Sequence, residues 1–223
     1  MIPRKSIFGL LSLLCCLALS QARANHVDFM TDGAFIQSGP GSQVATGSAA
    51  NILGTMRRIT ITAGSASLTA GGPLNFMAGA GATNLTLGYG TPFGGGAFTA
   101  NFINPGTNDW NSIVVSLSNV SPAAGGTLSL TVDNAGNQFT FASQPITGAG
   151  NYTFFYNQAA GSGVNFLSIN GLQANLNNAA ASSSYSLAGI TRVNSVPEPG
   201  TMALAVLGSL FGGFALYRRR RLA

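Results

Sequence analysis

The chain has very little charge. Only 7% of its 223 residues are Asp, Glu, Lys or Arg, far below the quarter or so usual in soluble domains. It also has one histidine, one tryptophan and two cysteines. The cysteines, Cys15 and Cys16, are adjacent near the N-terminus, so the body beyond them has no thiol. That body can form no disulfide, no thiolate metal site and no cysteine nucleophile. A lone histidine, His26, provides neither an ordinary zinc ligand set nor the base of a triad. At the second position of the expected mature chain, it is expected to be poorly ordered.

The net charge of +5 comes from the ends. Residues 1–24 carry +3 through Arg4, Lys5 and Arg23, and residues 196–223 carry +3 through Glu198 and Arg218–Arg221. Residues 25–195 carry −1, from three arginines and four aspartates. A cationic nucleic-acid surface is therefore excluded for the body.

The N-terminus has the form of a secretory signal peptide spanning residues 1–24. Arg4 and Lys5 precede an apolar run, Ile7 to Leu19, that is too short to span a bilayer. Ala22 and Ala24 then place small residues at −3 and −1, predicting cleavage after Ala24. Leu14 before Cys15, and Cys15 before Cys16, make a poor lipidation site because no small residue precedes either cysteine.

The C-terminal segment, residues 196–223, has three parts. Val196-Pro197-Glu198-Pro199-Gly200 is a rigid break, since its prolines fix φ and lack N–H donors. Thr201–Tyr217 has no charge and predicts a single transmembrane helix about 25 Å long. Arg218, Arg219, Arg220 and Arg221 then form a basic stop that stays in the cytoplasm by the positive-inside rule, placing residues 25–195 outside the inner membrane. Gly208 and Gly212 are spaced for close helix contact, or simply keep the helix weakly hydrophobic.

This order of motif, apolar stretch and basic end resembles the PEP-CTERM sorting signal. The resemblance implies an exosortase-type processing enzyme as partner, with Val196, Pro197, Glu198 and Pro199 as recognition residues in a substrate. It also implies a precursor anchored in the inner membrane, followed by release to the cell surface or exterior.

Between the ends, short runs alternate with period 2. Ile59 and Ile61 alternate with threonines, as do Leu85 and Leu87. Leu128, Leu130 and Val132 alternate with Thr127, Ser129 and Thr131. Tyr152, Phe154 and Tyr156 follow a Gly148–Gly150 break. Each run is bounded by Gly, Pro or Asn. About 170 residues with ten or so such runs predict an all-β ectodomain, a jelly-roll-like antiparallel β-sandwich with one apolar and one hydroxyl-rich face per sheet. Phe139 and Phe141 are expected to continue the buried face of Leu128, Leu130 and Val132 across a turn at Asp133–Asn137, with Thr131 on the open side. Uncharged strand edges also invite pairing between chains. Val27-Asp28-Phe29, Asp32–Phe35, Ile52–Ile59 and Val164-Asn165-Phe166 with Ile169 are similar to sandwich domains found ahead of this sorting signal. Thr55 stands at the place of a second glycine in that pattern.

Few residues suggest chemistry. Asp28 or Asp32 with Asn165 is a candidate calcium pairing, or plain turn chemistry. Four aspartates leave little scope for the paired carboxylates of a glycosidase. Trp110, preceded by Asp109, is either a platform for a sugar ring or a core anchor. Arg57 and Arg58 point to opposite faces of one strand, so the inward one requires an aspartate partner. Gly94-Gly95-Gly96 lacks the Lys of a phosphate loop and is expected to be a flexible turn. The expected function is a non-enzymatic surface or matrix protein associated with exopolysaccharide or biofilm. The alternatives are a carbohydrate-binding module and a self-assembling matrix protein.

Overall fold

A computed structural model describes residues 25–69, 71–103, 110–121 and 125–193 of the chain. The signal-peptide residues Ala22 and Ala24, the motif Val196–Pro199, the segment Thr201–Tyr217, the basic stop Arg218–Arg221 and Asp109 lie outside the described residues.

Those residues fold into two antiparallel sheets packed face to face, the sandwich expected from the alternating runs. The first sheet contains β1 (Asn25–Asp28), β2 (Phe35–Ser38), β5 (Ser65–Leu68), β6 (Leu74–Met77), β8 (Ser112–Ser121), β12 (Gly150–Phe155) and β14 (Ser184–Val193), in the order β12-β8-β14-β6-β5-β2 with β1 also on β14. The second contains β3 (Gly41–Thr46), β4 (Met56–Ile61), β7 (Thr83–Tyr89), β9 (Thr127–Asn134), β10 (Asn137–Thr140), β11 (Gln144–Pro145) and β13 (Gly171–Ala179), in the order β10-β9-β13-β7-β4-β3 with β11 also on β9. Most connections carry the chain from one sheet to the other, as in a jelly roll. Helix among the described residues is limited to two 3-10 turns, Thr91–Phe93 and Tyr156–Ala159.

The period-2 pattern decides what the sheets bury. Leu85, Leu87 and Tyr89 of β7 face Ile113, Val115 and Leu117 of β8 across a core that includes Leu128, Leu130, Val132, Leu172 and Leu176. A void of about 20 Å³ between the sheets is lined by Leu74, Leu85, Val115, Leu128 and Leu187 among others. That is about one water-sized sphere, so the sandwich holds no ligand there.

Two expectations for the β9–β10 hairpin need correction. Its turn is the two-residue Ala135-Gly136, with φ of 50° and 90°, the left-handed pair that matches strand twist. Phe141 is fully buried and donates its N–H to Leu130, whereas Phe139 is only half-buried and packs edge-on against Phe141 at 5.0 Å. Phe141 keeps its expected place in the core, and Phe139, opposite Val132, packs against that core without being fully buried. Thr131 is not on an open face either. It is 7% exposed, and its hydroxyl lies 2.8 Å from that of Thr140 on the neighbouring strand. The second sheet is therefore partly covered on its outer side as well.

Thr55 has φ of 63°, a left-handed conformation that glycine adopts more easily.

Candidate functional site

Arg57 points into the core and Arg58 points out, as the strand alternation requires. Arg57 is fully buried and forms a salt bridge with Asp28, which is also fully buried. β1 bulges between His26 and Asp28, and this turns the carboxylate inward. Its Oδ1 accepts the N–H of Met30 at 2.7 Å, and its Oδ2 accepts the Tyr89 hydroxyl at 2.8 Å. Arg57 also donates to the Asp32 carbonyl oxygen. Burial, with the Asp28 charge next, raises the Tyr89 phenol well above its ordinary range.

With its oxygens engaged in this way, Asp28 does not support the calcium pairing. Nor does Asp32, whose Oδ2 accepts the N–H and hydroxyl of Ser48, both at 2.8 Å. The Ser48 backbone N–H is the main cause of its lowered pKa. Asn165 closes its own turn by accepting the Leu167 N–H at 3.0 Å. No group of three His, Cys, Asp or Glu residues comes together among the described residues.

The sugar-platform role of Trp110 is also corrected. Its side chain is 8% exposed, and the Arg192 guanidinium lies 4.6 Å from its ring centre and 4.8 Å from that of Phe102. A stacking platform needs an open ring face, and this one is occupied from within the core. Arg192 also donates to the Asn101 carbonyl at 2.6 Å. Burial lowers its pKa and raises that of the neighbouring Tyr156 hydroxyl. His26 lies in β1 opposite Thr191 and stacks on Phe29 at 4.1 Å.

An open site lies on the outer face of the second sheet, where the sequence singled out Arg58 and the Gly94–Gly96 turn. A groove of about 450 Å³ is lined by Arg58 and Thr60 of β4, Thr86 and Gly88 of β7, Gln173 of β13, and the turn Thr91–Gly94. The strand register explains this grouping. Arg58 pairs with Gly88 and Gly88 with Gln173, while Thr60 pairs with Thr86 and Thr86 with Asn175. The outward row beyond the groove continues to Thr131 and Ser129 on β9. Hydrogen bonds tie the hydroxyls and amides together: Thr86 donates to Asn175 at 2.9 Å, and Asn177 donates to Ser129 at 3.2 Å.

The groove wall depends on missing side chains. A Cβ at Gly88 would lie 2.3 Å from the Phe93 carbonyl oxygen, and one at Gly171 would lie 2.9 Å from the Phe93 ring. These two glycines let the turn settle on the sheet, leaving Phe93 half-buried at the groove's edge. Gly94, at φ 76°, packs against Arg58, and a Cβ there would lie 2.7 Å from its Cδ. Gly95 lies against the backbone of Gly88–Gly90 and Gly96 against Gly54, so the Gly94–Gly96 segment is closely packed where the sequence suggested a flexible turn.

The comparisons agree with the C-terminal reading. The chain carries a PEP-CTERM protein-sorting motif, matched over residues 195–221. This motif implies export, a membrane-anchored precursor and exosortase processing. A search of the curated proteins finds no match. Among solved structures, the chain is similar to a family 11 carbohydrate-binding module of a cellulosomal cellulase of Clostridium thermocellum. The TM-score is 0.43 at 10% identity, covering 81% of this chain and 99% of that one. A family 11 module from the same organism, in complex with a β-1,3-1,4-mixed-linked tetrasaccharide, gives 0.38 at 10% identity over 74% and 91% of the two chains.

Proposed function

We propose that the chain is an exported, non-enzymatic surface or matrix protein that associates with exopolysaccharide through the outer face of its second sheet. The observation that carries this is the groove beside Phe93, bordered by the hydroxyls and amides of Thr60, Thr86 and Gln173. Such groups exchange hydrogen bonds with sugar hydroxyls at little desolvation cost, and a half-exposed ring adds apolar contact to a sugar face. Asp28 is engaged by Arg57 and Tyr89, and Asp32 by Ser48, which supports binding without catalysis. The test is a polysaccharide panel against the full chain in mild detergent, with reducing ends measured after incubation. Binding without released ends is expected. Failure to bind any polysaccharide would overturn the reading, and released ends would overturn its non-enzymatic part.

A second reading, self-assembly, is favoured by β3. This strand borders the second sheet, has no charged residue and exposes Val44 at 53%. Uncharged open edges pair with further strands. Concentration-dependent, thioflavin-positive assembly would support it, and a monomer at all concentrations would remove it.

A further inference from the structure

We infer that the groove selects an acidic polysaccharide, with the Arg58 guanidinium holding a carboxylate or sulfate ester of one sugar unit. This rests on the groove being the polysaccharide site. Charge is so scarce in the folded body that each instance is informative. Of its three arginines, Arg57 and Arg192 are buried. Arg58 is the only exposed arginine among the described residues, and the only salt bridge among them belongs to Arg57.

The side chain of Arg58 is also held in place. Its Nε donates to the Ser42 hydroxyl at 2.7 Å, and Ser42 in turn lies 2.9 Å from the Thr60 hydroxyl. Gly94 packs against its Cδ and Nη1. With Nε engaged, the two terminal nitrogens have no hydrogen-bond partner among the described residues and stand at the groove. A planar fork of N–H donors matches the paired oxygens of a carboxylate or sulfate. Because its orientation is set in advance, little side-chain freedom is lost on binding. The neighbouring Thr60, Thr86 and Gln173 are neutral, so one anionic group per site balances the charge.

The test compares polygalacturonate, dextran sulfate and neutral dextran on the full chain in mild detergent, at low salt and at 0.3 M salt. At least one acidic polymer should bind ten-fold or more tighter than dextran, and salt should weaken that preference. Which acidic polymer binds identifies the anion. Arg58→Gln keeps much of the stem and should erase the preference while leaving the melting temperature unchanged. Arg58→Lys should restore part of it, since it keeps the charge without the fork. Dextran bound as tightly as both acidic polymers would overturn the inference and leave the polysaccharide reading standing. So would a preference that persists in Arg58→Gln. Absence of binding to all three polymers and to the wider panel would overturn both.

Discussion

Arg57 and Arg192 are both buried in the same sandwich, and the protein balances them in different ways. Arg57 meets a carboxylate, Asp28, together with the Asp32 carbonyl. Arg192 meets no carboxylate among the described residues. It lies against the rings of Trp110 and Phe102 and donates to one carbonyl. Both arrangements oppose a large desolvation cost, one with a full countercharge and the other with ring quadrupoles. The difference is in what remains when the arginine is removed. Without Arg57, Asp28 is a buried and unpaired anion. Without Arg192, only neutral groups are left.

The largest expected effect follows directly. Arg57→Met should cost about 3–5 kcal/mol, because it strands Asp28 in the core. Adding Asp28→Leu should recover part of that loss, since it removes the unpaired charge but leaves the Met30 N–H, the Tyr89 hydroxyl and the Asp32 carbonyl without their partners. Arg192→Met should cost less, about 2 kcal/mol, through lost ring contact and one lost hydrogen bond. Chemical denaturation followed by Trp110 fluorescence measures the first change and the double variant, and far-ultraviolet circular dichroism measures the second, where the tryptophan's environment changes. Equal costs for the two single variants would break the comparison.

The tyrosines sharpen it at a smaller scale. Tyr89 belongs to the Arg57 cluster and bonds Asp28, so Tyr89→Phe should cost about 1.5 kcal/mol at neutral pH. Tyr156 lies near Arg192, and its buried hydroxyl has no hydrogen-bond partner among the described residues. Tyr156→Phe should therefore change stability by under about 0.5 kcal/mol. Burial raises both phenols above their unfolded value near 10, so the folded state holds protons that the unfolded state releases. Stability is then fully present below about pH 10 and falls as pH rises above it. Each Phe variant should flatten that alkaline decline in urea titrations, and a slope unchanged in both would contradict the burial argument.

The two arginines also mark what the sequence makes legible. Alternation along β4 requires that one of Arg57 and Arg58 face inward, and the scarcity of aspartates narrows its partner to four; the structure shows that Arg57 is the inward one. Nothing comparable marks Arg192, because aromatic partners from distant segments have no charge signature. The same limit applies to Trp110, whose flanking polar residues resemble a sugar site until Arg192 is seen against its ring. Period 2 identified the strands and the apolar face of β9. It did not show that Thr131 is covered, because that depends on the neighbouring Thr140. The groove was hidden for a similar reason. Gly88 and Gly171 come from separate strands, and their common role of admitting one turn appears only when the sheet brings them together.

The smallest effect concerns His26, which responds to Arg192 through space. Burial and then the Arg192 charge lower its pKa below 6.5, against opposing contributions from the Ala50 backbone and Asp28. The unfolded histidine therefore takes up a proton before the folded one does. Stability is fully present above about pH 6.5 and declines as pH falls through the folded value. Asp32 also has a lowered pKa, but its contribution is lost only as pH falls below about 3.8, so the two windows separate. His26→Phe keeps a ring against Phe29 and should make the denaturation midpoint flat between pH 6.5 and 5. Arg192→Met should give a partial flattening, because burial still opposes protonation once the repelling charge is gone. If Arg192→Met leaves the acid slope at its full wild-type value, the guanidinium is too well screened by Trp110 and Phe102 to act on His26. The rings would then be neutralising its field as well as covering it.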